Sequence, residues 1–210
     1  MPAPITEEQT RLDRAALLDA AEGLFYERGI QAVGMDEVRA ASGLPLKRIY
    51  RLYAAKDDLV VAVLRRRDER WRGNLATYVE QAQDPRERVL RVFEWLADWF
   101  AEPGFRGCAW INAHGELSPS SPAVLAEVRS HKQAFHDQIT EWVRATGARQ
   151  AEPIFLLAEG AIVTAGITAD PAPAHHARTA AAALLNAGRY PRREHRHGPG
   201  RACPGHFGTP

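Results

Sequence analysis

Apolar residues recur at three- and four-residue intervals along nearly the whole of this 210-residue chain, and no stretch between turn signals alternates apolar with polar residues. That pattern leaves room for helices and very little else. In "TRLDRAALLDAAEGLFYERG", Leu17, Ala21, Leu24 and Phe25 share one helical face, and Gly29 is a stop signal. "MDEVRAASGLPLKRIYRLY" reads as two short helices around a tight turn. Met35 and Val38 mark the inner side of the first; Ile49, Leu52 and Tyr53 mark that of the second. Gly43 can take the left-handed conformation that ends a helix, and Pro45 is tolerated at the start of the next. A long helix is expected from Lys56 to about Gln83, with Asp57 and Asp58 at its positive end and Leu59, Val63, Trp71, Leu75 and Tyr78 as its stripe. Five further helical segments follow, within 84–104, 105–118, 121–147, 152–170 and 173–188. The fold class is all-α, with about nine helices.

Charge narrows the functional classes. The formal net charge is only +1, so this is not a chain that binds nucleic acid by bulk charge. Any such binding needs a local patch, and one is present. Residues 38–56 hold Arg39, Lys47, Arg48, Arg51 and Lys56 without a single acid. A second basic stretch, 189–210, has five arginines and one acid among Gly, Pro and His residues; its composition can bury little, and it is read as a disordered tail. The two cysteines, Cys108 and Cys203, make no disulfide framework and fit a reducing compartment. The N-terminal residues lack the apolar core of a signal peptide, and no uninterrupted apolar run approaches the roughly 18 residues of a membrane span. A cytoplasmic protein without a membrane partner is the expectation.

Within this frame, residues 12–60 resemble the DNA-binding domain of the TetR (tetracycline repressor-like) family of transcriptional regulators. The resemblance is carried by Phe25, Gly29, Met35, Val38, Gly43, Ile49, Tyr50, Tyr53, Lys56 and Leu59, which fall into register without gaps. Three positions depart from it. Val33-Gly34 stand where the family has Thr or Ser before its second helix, Pro45 replaces a turn Ser, and Lys47 replaces a common Gly. The resemblance implies a helix-turn-helix head in 1–55 and a ligand-binding and dimerisation bundle in 56–188. It further implies a homodimeric regulator, a repressor, on a pseudo-palindromic duplex operator, with an unknown small-molecule effector and no enzymatic activity. In such a motif the second helix enters the major groove. With Ile49, Leu52 and Tyr53 inward, the outward set is Leu46, Lys47, Arg48, Tyr50 and Arg51. Arg48 or Lys47 would pair with guanine, Leu46 would touch a thymine methyl, and Tyr50 and Lys56 would meet phosphates. The competing reading is a helical small-molecule-binding or enzymatic protein whose head no longer reads DNA.

The body offers further candidates. By the resemblance, Trp95, Trp99, Trp110 and Phe135 would wall an effector pocket, with Asn112 and His114 orienting the ligand; plain core packing would use the same aromatics. The last two helices would form the dimer interface through Ile162, Val163, Gly166, Ala181, Leu184 and Leu185. Cys108 is read as a small core residue. His195, His197, Cys203 and His206 lie in the Gly/Pro-rich tail, so no metal site and no cofactor are expected. Truncation after Gly188 should leave the melting temperature nearly unchanged in a thermal scan; a loss of several degrees would show that the tail packs.

Overall fold

The computed structural model describes residues 6–117 and 120–187; the tail read as disordered lies outside these residues. Among the described residues the chain forms helices α1 (Glu7–Arg28), α2 (Met35–Ser42), α3 (Leu46–Leu52), α4 (Lys56–Val79), α5 (Pro85–Phe100), α6 (Ala109–Leu117), α7 (Pro122–Ala145), α8 (Ala151–Thr168) and α9 (Ala172–Ala187), and no strand. Several starts follow from side-chain caps. The hydroxyls of Thr6 and Ser121 accept the backbone N–H groups of Gln9 and Val124. Asp84 accepts that of Arg86 and precedes Pro85 at the first helical position.

The long helix ends at Val79, four residues short of the expectation. Asp84-Pro85 opens the next helix, and a chain that must re-enter α5 there needs residues to turn. Ala82 is tucked into the core and its carbonyl accepts Arg88 Nε at 2.8 Å, which closes the turn.

α1, α2 and α3 surround a small core of Leu17, Ala21, Ile30, Val33, Val38 and Ile49, all buried. α4 leaves this group and packs along α5 and α7, while α5, α8 and α9 close the far side and α6 lies on α7. One continuous apolar cluster runs through both parts. Ile49 is the fully buried residue of α3 and seats that short helix on its neighbours. Replacing Ile49 with Ala should cost about 2–5 kcal/mol, the usual range for truncating a buried aliphatic side chain. Urea unfolding followed by circular dichroism checks this.

Candidate nucleic-acid interface

The α2–α3 segment is shaped by backbone chemistry. Gly34 caps α2 without a side chain, in keeping with the departure read at Val33-Gly34. The Glu37 carboxylate reaches back instead, accepting Gly34 N–H at 2.9 Å and pairing with Arg28 at 2.7 Å. The Gly34 bond, then Arg28, hold its carboxyl below the usual glutamate value. Gly43 ends α2 in the left-handed region at φ 70°, with its N–H on the Arg39 carbonyl. Pro45 then starts α3, its carbonyl accepting Ile49 N–H at 3.1 Å.

α3 leaves Lys47, Tyr50 and Arg51 exposed, while Leu46 is half-buried against the core. Two of the expected DNA contacts sit differently. Arg48 was expected to face outward; its Nε instead donates to Asp13 Oδ2 at 2.7 Å and its Nη2 to Thr10 Oγ1 at 2.9 Å, both on α1. A buried carboxylate on α1 needs a cation, and Arg48 is the one in reach. The sequence held a signal for this: Asp13 lies four residues before Leu17 and eight before Ala21, an acid in the apolar stripe. Lys56 was expected at a phosphate. Its Nζ donates to the carbonyls of Ile30 and Val33 at 2.6 Å each, satisfying two acceptors of the α1–α2 turn. Burial lowers its pKa against the pull of nearby acids.

The family model for bacterial regulatory proteins of the tetR family matches residues 17–63, the span from mid-α1 into α4. Residues 17–63 thus carry the DNA-binding domain of that family. FasR, a helix-turn-helix transcriptional activator of Mycolicibacterium smegmatis, is 29% identical over 153 residues, which is 71% of this chain and 67% of that protein. BetI, a transcriptional regulator of Rhizobium meliloti, is 28% identical over 51% of this chain and 53% of its own length. The crystal structure of a TetR-family regulator from Streptomyces coelicolor superposes with a TM-score of 0.76 at 28% identity, covering 85% of this chain and 96% of the other. All three are named as regulators of transcription, none as an enzyme. That domain is a DNA-binding helix-turn-helix, with α3 as its second helix.

In the body, four of the six residues expected at an effector site come together. Trp95, Trp99, Trp110 and Phe135 all pack against Trp71, at centroid distances of 5.0, 5.4, 6.4 and 5.1 Å. Asn112 and His114 do not join them. Both are exposed on α6, whose buried face carries Trp110 and Ala113 instead. Asn112 donates to the Arg106 carbonyl and borders a cavity of about 30 Å³ between α1, α4 and α6, room for about two waters. His114 lies on an open groove with Lys132, His136 and Phe155.

Contacts between the α1–α2 region and the residues around α6 have no signal in the sequence. Tyr26 Oη donates to the Gly107 carbonyl at 2.8 Å and accepts Arg106 N–H at 2.9 Å. Gln31 N–H donates to Glu116 Oε2 at 2.7 Å, and the Gln31 side-chain amide donates to the Glu116 carbonyl.

The expected interface residues divide as well. Ile162, Ala181 and Leu185 are buried within the monomer. Gly166 faces this chain's own Gly107, where an added Cβ would lie 3.0 Å from the Gly107 Cα, so its small size serves an intramolecular approach. Val163, by contrast, is 41% exposed, and Leu156 and Ile167 are 58% and 79% exposed. Leu184 is half-buried and lines an apolar groove with Pro153, Leu156, Leu157, Ala180 and Ala183.

Beside the tryptophans, His131 stacks on Trp110 at 3.5 Å and its Nδ1 lies 2.6 Å from Asp68 Oδ1. Burial lowers the His131 pKa despite that carboxylate, so the ring is neutral and its Nδ1–H donates to Asp68. Burial alone would raise the Asp68 pKa, but hydrogen bonds from His131 and Arg72 bring it down to about 2. Both shifts act in one direction. Asp68 contributes stability above its unfolded value of 3.8, lost as pH falls toward 2; His131 favours the unfolded state once pH drops below 6.5. Stability should therefore fall on acidification from pH 7, with a further loss of about 2 kcal/mol tied to Asp68 below pH 4. Asp68→Asn should remove that lower step from a plot of unfolding free energy against pH.

Proposed function

We propose that this regulator binds a pseudo-palindromic operator as a homodimer and releases it in response to a small molecule. Residues 1–55 act as the DNA-reading head and 56–188 as the ligand and dimer body, in the cytoplasm. The observation that carries the reading is the pairing of a helix-turn-helix with an uncovered apolar face on α8 and α9. α8 is long and apolar enough to cross a membrane, yet only 28% of its residues are buried within the monomer. A second copy related by a twofold axis would cover Leu156, Val163, Ile167 and Leu184 and set two copies of α3 for successive major grooves. On DNA, Lys47, Tyr50 and Arg51 are the groove-facing set, with Leu46 at its edge.

The effector site of this reading is the tryptophan cluster around Trp71. The indole N–H groups of Trp71 and Trp110 are buried and have no partner among the described residues, two donors for a ligand acceptor. A ligand that parts these rings binds one dimer geometry better than the other, and that difference in affinity is what moves the heads. With its operator across a promoter, the dimer acts as a repressor by excluding polymerase.

The test joins assembly to DNA binding. Light scattering should give a dimer, and the protein should shift a duplex whose half-site centres lie about 34–36 Å apart or a multiple of that. Leu156→Glu with Ile167→Glu, both exposed in the monomer, should yield a folded monomer that no longer shifts it. A double variant that stays dimeric would overturn the assignment of this face. A promoter fusion reads the sign of regulation, and rising output in the presence of the protein would replace repression with activation.

A further inference from the structure

Arg48 is the third residue of α3, where a helix-turn-helix side chain would reach a base, yet it is committed elsewhere. Two of its three guanidinium nitrogens are spent on α1, one on Asp13 and one on Thr10. Asp13 Oδ1 is held in turn by Gln9 Nε2 at 2.7 Å. The Arg48 and Asp13 side chains are 14% and 11% exposed. Gln9, then Arg48, keep the Asp13 carboxyl below the usual aspartate value, so it is ionised at neutral pH.

A bidentate contact to guanine O6 and N7 needs a free pair of parallel N–H groups. The Nε–Nη2 edge of Arg48 is spent on α1; its other edge belongs to a side chain only 14% exposed, and bringing it out to a base would draw Arg48 off Asp13 and leave a buried carboxylate with one amide donor. The orientation of α3 also needs support. Seven residues make a helix too short to hold itself, and Ile49 alone is fully buried on it. An apolar seat fixes the depth of a short helix better than its rotation. The Arg48 fork, gripping two side chains three residues apart on α1, fixes the rotation.

The rotation it fixes presents positions 47, 50 and 51, which share a helix face at i, i+3 and i+4 spacing. Neither Lys47 nor Arg51 forms an ion pair among the described residues, and Tyr50 is 46% exposed. We propose that Arg48 is a positioning residue that acts through Asp13 and Thr10, and that base preference is carried by the face of Lys47, Tyr50 and Arg51. This rests on the reading of the chain as an operator-binding protein.

Two measurements on the full chain test it. The first needs no DNA. In hydrogen exchange, Asp13→Asn should speed exchange of the amides of residues 46–52 and leave those of α5 and α7 at wild-type rates. Unchanged exchange in 46–52 would overturn the positioning role. The second selects duplexes from a random-sequence library with the wild type, Asp13→Asn, Arg48→Ala, the double variant and Lys47→Ala. Asp13→Asn and Arg48→Ala should each weaken binding roughly tenfold, the size of one charge-assisted hydrogen bond. The preferred bases should not change, and the double variant should bind no worse than either single one. Lys47→Ala should relax preference at one or two base pairs. If Arg48→Ala relaxed preference at a base pair while Asp13→Asn bound like the wild type, Arg48 would be a reader and the proposal wrong. If the wild type enriched no sequence, the operator-binding reading would fall, and the exchange result would still decide whether Asp13 and Arg48 hold α3.

Discussion

α4 is the member on which both halves of the molecule are assembled. Its 24 residues span about 36 Å at 1.5 Å per residue. The first turns bury Leu59, Val60 and Val63, and the last bury Trp71, Leu75 and Val79. Its polar middle is tied to both sides. Arg66, Arg67 and Arg70 converge on Glu22 of α1, a buried acid that needs such company. Arg65 pairs with Glu127 of α7, and Asp68 with His131 of the same helix. A helix stiffened along its length and anchored at both ends cannot tilt in one half without moving the other.

The charge presented by the helix-turn-helix is smaller than its composition suggests. Of the five cations in 38–56, Arg48 is held by Asp13, Lys56 by two carbonyls and Arg39 by Asp36 at 3.3 Å. Lys47 and Arg51 form no ion pair among the described residues. A module with few free cations releases few counterions on binding, so its affinity falls gently with salt and leans more on shape and base contact.

Much of this architecture was legible in the sequence because helical periodicity is a local signal. The stripe Leu17, Ala21, Phe25, the Gly43 turn and the Asp-Pro start of α5 each depend on residues a few positions apart, and all stand where the pattern put them. What the sequence hid was partnership over distance. Nothing near Arg48 announces Asp13, 35 residues away, and nothing near Lys56 announces the carbonyls of Ile30 and Val33. The apolar residues of α8 gave a related difficulty. Ile162 and Val163 are adjacent and equally apolar, but a helix turns 100° between them, so one enters the core and the other faces outward. Trp71 was read as one residue of a stripe, and became the ring on which four other aromatics pack.

The hydroxyl of Tyr26 has a consequence for how sharply such a molecule can respond. One oxygen donates to Gly107 and accepts from Arg106. Two bonds that share an atom cannot fail independently when the loop before α6 withdraws from α1. A displacement of about an ångström carries both beyond hydrogen-bonding range together. Phenylalanine would fill the same space with neither bond, leaving the Gln31–Glu116 hydrogen bonds to hold this junction without its loop contact.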